Sequence, residues 1–82
     1  MSDKVIAYTN PTCPHCRRLK EYLLQHHIAF ENKDVANDQN AAMEFQLLNA
    51  PGVPVVQVGD DMLVGFDQGR LEELLKTHGV AA

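Results

Sequence analysis

No run of this 82-residue sequence approaches the roughly 18 apolar residues that a membrane span requires. The first residues, Met1 to Lys4, lead straight into a short apolar run, without the hydrophobic segment and small-residue cleavage site of a secretory signal. The expectation is a cytoplasmic chain. Basic residues are few, seven against eleven acidic ones, and they are scattered rather than gathered, for a formal charge of -4. That distribution offers no electrostatic footprint for nucleic acid or an anionic membrane. Repeats, linkers and low-complexity tracts are absent, and the length leaves no room for a separate substrate domain, so residues 1–82 read as one domain. Cysteine is scarce as well, with two residues in all. A compartment that keeps ordinary thiols reduced gives them little use as a structural staple. They also stand so close together that a bond between them would close a tiny loop, where the chain-entropy gain is smallest.

What is present is a regular alternation of apolar segments punctuated by Pro, Gly, Asn and Asp. Val5-Ile6-Ala7-Tyr8 has the unbroken apolar character of a strand covered on both faces. Asn10-Pro11-Thr12 breaks it. From Pro14 to about His27 the spacing of Cys16, Leu19, Leu23 and His26, with Tyr22 beside them, predicts a helix, and Pro14 suits its first turn. Phe30 to Val35 reads as a second strand, weakened by Asn32 and Lys33. Asp38 is a predicted N-cap for a helix to about Asn49, with Ala42, Phe45 and Leu48 on one face and Met43 and Leu47 also expected in the core. Val55 to Val58, Gly59-Asp60-Asp61 and Met62 to Val64 read as a hairpin. Asp67 is placed to cap a last helix carrying Leu71, Leu74, Leu75 and His78 inward, with Lys76 near its end and Gly79 as terminator. The order β-α-β-α-β-β-α, with a right-handed crossover first, predicts an α/β, thioredoxin-like fold: a four-stranded mixed sheet flanked by three helices.

Both cysteines fall in Thr12-Cys13-Pro14-His15-Cys16. Three chemistries suit such a pair: redox exchange, half of a metal site, or packing. Beside a β-α-β pattern the spacing points to redox exchange. Cys13 would face the free N–H groups and positive dipole end of the helix, which favour thiolate over thiol. Cys16, one turn further, would lie within reach of its sulfur and resolve a mixed disulfide. A zinc site needs four ligands, and His26 and His27 are adjacent to one another without the usual finger spacing, so no metal site is expected within the chain. His15, when protonated, would stabilise the Cys13 thiolate and make the disulfide a stronger oxidant, so Pro14 and His15 are assigned to tuning the thiol. Arg17 and Arg18 read as a solvated face, Tyr8 as core, and His26-His27 as a helix end.

The Cys13-Pro14-His15-Cys16 motif, taken with Val53-Pro54 and Gly65-Phe66-Asp67, resembles the glutaredoxins and glutaredoxin-like proteins of the thioredoxin superfamily over nearly the whole chain. The resemblance implies a nucleophile at Cys13, a resolving thiol at Cys16 and a cis-proline at Pro54 facing them. It implies a surface for glutathione or a protein substrate built from Thr12, Val53, Pro54, Gly65, Phe66 and Asp67. In that family glutathione is held by a basic residue before the cysteine motif, another before the Val-Pro, and a Gly-Gly-x-Asp-Asp-like turn. The matching places here are Asn10, Ala50 and Val64-Gly65-Phe66-Asp67-Gln68, so much of that grip is missing. Gly65-Phe66 instead resembles the NrdH-type proteins, which take electrons from thioredoxin reductase. Pro14-His15 is the dipeptide of DsbA-like oxidants, which places the expected potential between about -270 and -120 mV.

The expected activity is therefore dithiol–disulfide oxidoreduction on disulfide-containing proteins or glutathione mixed disulfides, by a monomer without a tightly bound cofactor. Glutathione is the expected co-substrate and thioredoxin reductase the alternative donor. Two readings from other classes stand beside it. One is a dimer holding a [2Fe-2S] cluster through Cys13 and borrowed thiols; the other is a binding module without turnover.

Overall fold

A computed structural model describes residues 4–80 of the chain; the reading of Met1 to Asp3 lies outside them. The elements follow the expected order: β1 (Val5–Thr9), α1 (Pro14–Gln25), β2 (Glu31–Asp34), α2 (Gln39–Leu47), β3 (Val55–Val58), β4 (Asp61–Val64) and α3 (Gln68–Thr77). They form one four-stranded sheet in the order β2-β1-β3-β4. The β1–β2 pair is parallel, as the crossover through α1 requires, and the β1–β3 and β3–β4 pairs are antiparallel. Lys33, Tyr8, Val55 and Val64 stand opposite one another in a single row across all four strands. This row marks the end of the sheet where β1 leaves for the cysteine motif and β3 enters from Val53-Pro54.

Successive strand residues point to opposite faces, and the two faces are covered unequally. On one, Val5, Ala7, Val56 and Val58 meet Leu19, Tyr22 and Leu23 of α1 and Leu71 and Leu75 of α3 in the main core. On the other, α2 sits over the β1–β2 side, with Phe45 beside the Tyr8 ring at 6.0 Å between centroids and Glu44 paired with Lys33. Contact on one side only corrects the expectation that Met43 and Leu47 are core. Ala41 is the buried residue of α2, whereas Met43 is 59% and Leu47 81% exposed, on the helix's outer side.

β2 is shorter than its predicted span, and its sequence, Glu31 to Asp34, is entirely polar. Pairing with β1 makes it a strand, and its charges blunt an exposed edge, with Glu31 bridging Lys4 and Lys33. α1 stops at Gln25 rather than His27. His27 takes the left-handed conformation, φ 55°, with its N–H on the Leu24 carbonyl and the Ile28 N–H on that of Leu23. This is a Schellman ending, closed by Leu23 and Ile28 together in the core. α3 ends in the same way at Gly79, the expected terminator. Among the described residues, no helix is long and apolar enough to cross a membrane.

Candidate redox site

The polypeptide leaving β1 cannot continue as a strand, because Pro11 offers no N–H and restricts Asn10 before it. Instead Asn10 folds the chain back. Its side-chain oxygen accepts the Thr12 N–H at 3.0 Å and the Thr12 hydroxyl at 2.8 Å, and its carbonyl accepts the Cys13 N–H at 3.1 Å. Cys13 is thereby set at the N-cap of α1, with extended backbone and Pro14 at the first helical position. Cys16 follows on the buried face of the first turn, 0% exposed, while Cys13 keeps partial contact with solvent. Both are free thiols.

The two sulfurs have opposite environments. Cys13 is pulled below the ordinary thiol range, first by the hydrogen bond from the Cys16 thiol and then, against some burial, by the N–H groups of Cys16 and His15. Cys16 is pushed up to about 11, chiefly by burial, with the Asn10 N–H at 3.5 Å and the charge of Lys20 opposing the rise. The surface sulfur therefore gives up its proton more readily than an ordinary thiol, and the buried one holds its proton more tightly. The His15 ring and the side chains of Pro14, Arg17 and Arg18 are exposed. His15 brings its main-chain N–H to the Cys13 sulfur.

The second half of the site enters from β3 and β4. The Val53–Pro54 bond is cis, in agreement with the expectation. Pro54 is buried, and its carbonyl accepts the Gly65 N–H at 2.7 Å, joining the platform to the end of β4. Gly65 has φ 84°, a conformation that disfavours any side chain. Since Tyr8 opposes Val55, the Val53-Pro54 segment continues alongside Thr9 and Asn10, beside the cysteine loop. Among the described residues, no group of three or more His, Cys, Asp or Glu could hold a metal ion within the chain.

The Glutaredoxin family model matches residues 5–63, spanning the cysteine motif and the cis-proline segment. The chain belongs to the glutaredoxin family. A glutaredoxin-like 8.6 kDa protein of the rubredoxin operon of Clostridium pasteurianum is 36% identical over 70 residues, 84% of this chain and 93% of that protein. Among solved structures, the glutaredoxin of Archaeoglobus fulgidus superposes with a TM-score of 0.79 at 28% identity, covering 90% of this chain and 87% of that one. The glutaredoxin-like NrdH-redoxin of Escherichia coli gives 0.77 at 25%, covering 87% and 93%. Fold and family together give the chain a thiol–disulfide redox function, as a glutaredoxin-like member of the thioredoxin superfamily.

Measured against the glutaredoxin pattern, the remaining expected positions divide. Thr12 is exposed beside the motif and Val53 half-buried at the platform. Phe66 turns into the molecule, packing on the core with its ring 6.0 Å from that of Tyr22. The Asp67 carboxylate caps α3, accepting the Arg70 N–H at 3.2 Å. Sequence reading treated Asn10 only as a strand breaker and a missing basic residue. Its signal was available in Asn-Pro-Thr, the pattern of a side chain that accepts from the backbone two residues on.

Proposed function

We propose that this glutaredoxin-like protein reduces disulfides by a dithiol cycle with Cys13 as nucleophile and Cys16 as resolving thiol. The Cys13 thiolate attacks one sulfur of a substrate disulfide, forming a mixed disulfide and releasing the other sulfur as thiolate. Cys16, losing its proton, then attacks the Cys13 sulfur, forming the Cys13–Cys16 bond and releasing the second substrate sulfur, which takes up a proton. The observation that carries this reading is the pairing of a partly exposed, low-pKa Cys13 at a helix N-cap with a buried, high-pKa Cys16 one turn behind it. Val53 and the cis Pro54 supply the platform: among the described residues the Val53 backbone has no hydrogen-bond partner, which leaves it for an extended substrate.

Substrates are protein disulfides and glutathione mixed disulfides. A supply of electrons from thioredoxin reductase is the second reading, and it has specific support. Asn10 and Ala50 replace basic residues, Val64 brings an apolar side chain to the platform's edge, and the Asp67 carboxylate is engaged by its own helix. The NrdH-redoxin of similar structure is described as having a thioredoxin-like activity profile.

NADPH consumption by the oxidised protein, followed in parallel through glutathione with its reductase and through thioredoxin reductase, separates the two. Turnover through glutathione establishes a working glutaredoxin despite the altered contacts. Turnover through thioredoxin reductase alone establishes a thioredoxin-like carrier. Turnover through neither, with intact thiols, would refute both.

A further inference from the structure

We propose that Asn10 is a positioning residue for the resolving step, its side-chain oxygen folding the Asn10–Thr12 turn so that its own N–H is aimed at the Cys16 sulfur. The inference rests on the dithiol cycle above and adds a residue to it.

Asn10 makes four polar contacts, all of them within the redox loop. Its side-chain oxygen takes the Thr12 N–H and hydroxyl, its carbonyl takes the Cys13 N–H, and its N–H reaches the Cys16 Sγ at 3.5 Å. Both cysteines are therefore tied to one residue, and the side chain fixes the turn through which the main chain reaches them. The Cys16 sulfur is sealed from water, so a negative charge forming there must be met by protein groups. In the reduced protein the neighbouring Cys16 thiol favours charge on the Cys13 sulfur. Once Cys13 carries the substrate sulfur, that charge is lost, and Cys16 has to release its proton to solvent and attack as a thiolate. A preset N–H donor strengthens on facing that charge, and it acts in the second step rather than the first. Without the side-chain oxygen, the Thr12 N–H and hydroxyl lose their acceptor, the turn opens, and the donor leaves the sulfur.

Reaction of the full chain with the aromatic disulfide DTNB resolves the two steps, because each releases one coloured thiolate. Cys13 attack gives the first equivalent with formation of the Cys13 mixed disulfide. Cys16 attack gives the second with formation of the Cys13–Cys16 bond, its proton passing to solvent. In Asn10→Ala the second phase should slow about tenfold, the scale of one hydrogen bond to a charged group, and by several-fold more than the first phase, which feels the turn only through the Cys13 N–H. The pH midpoint of the second phase should rise, because the N–H that favours a charge on Cys16 has left it, whereas misplacement of Cys13 alone would slow the phase without moving that midpoint. Asn10→Ser, which keeps a shorter oxygen acceptor, should fall between wild type and Asn10→Ala and provides the test should Asn10→Ala fail to fold. An unchanged second-phase midpoint in the folded variants, or equal slowing of both phases, would overturn the inference. Release of a single equivalent by the wild type would instead overturn the dithiol cycle beneath it.

Discussion

The two thiols differ by position rather than by residue type. Cys13 stands at a helix start, half-open to solvent, with a thiol and two N–H groups aimed at its sulfur; Cys16 is enclosed. Alkylation of Cys13 by iodoacetamide should consequently reach its plateau at a lower pH than that of an unstructured cysteine. Replacing Cys16 by alanine removes the largest cause of the shift, so the midpoint should move up toward the ordinary value. Cys16 carries a separate stability signature. Its folded-state pKa, about 11, lies above the ordinary thiol value of 9.0, so the folded state binds its proton more tightly. That contribution is complete below the unfolded value and is lost as pH rises through the folded one. The reduced protein should therefore lose on the order of 2 kcal/mol between those pH values, whereas the disulfide form, which has no such proton, should not. Urea titrations of both forms across this interval check it. The Cys-Pro-His-Cys spacing was legible in the sequence because a three-residue step returns the chain to the same helix face. Asn10 was legible only as a turn former, since the direction of its main-chain N–H toward the Cys16 sulfur is set by the folded turn.

Helix ends divide into those the sequence announces and those it conceals. Asp38, Asp67 and Gly79 were readable because each has a side chain, or the lack of one, suited to its place. His27 was concealed: it performs the same left-handed closure as Gly79 with a residue that does not favour it, and the closing force is the burial of Leu23 with Ile28. Replacing His27 by glycine should stabilise the protein by about 1 kcal/mol in thermal or urea unfolding, with disulfide reduction unchanged, because this turn lies at the far end of α1 from the cysteines. Asp67 offers the converse case at the start of α3. Asp67→Ala should cost about 1 kcal/mol from loss of the cap. The KM for a glutathione mixed disulfide then separates a cap from a ligand contact. Cap alone leaves KM in place, and a rise of several-fold with the fold intact would show that the carboxylate also reaches substrate. β2 was faint in the sequence for a related reason, since its polar residues are drawn into the sheet by pairing with β1 and show no pattern of their own.

At the scale of the molecule, a sheet built by one parallel crossover and one hairpin brings the redox loop, the cis-proline segment and the end of β4 to a single edge. The Tyr8–Val55–Val64 row records that convergence, and the Gly65–Pro54 hydrogen bond fastens it. Element order made this architecture readable, because the connections permitted by chain handedness are few. The unequal covering of the two sheet faces was not readable. An amphipathic pattern does not tell how far a helix is covered, and α2 leaves Met43 and Leu47 outside. In the proposed cycle, this convergence serves a division of labour between Cys13 and Cys16. The most direct test is mass spectrometry of acid-quenched mixtures of a protein disulfide with Cys13→Ser and Cys16→Ser variants. The expected result is a mixed disulfide on Cys13 that accumulates in Cys16→Ser, with no adduct and no reduction in Cys13→Ser. Undiminished reduction by Cys13→Ser, or an adduct carried by Cys16, would contradict the assignment.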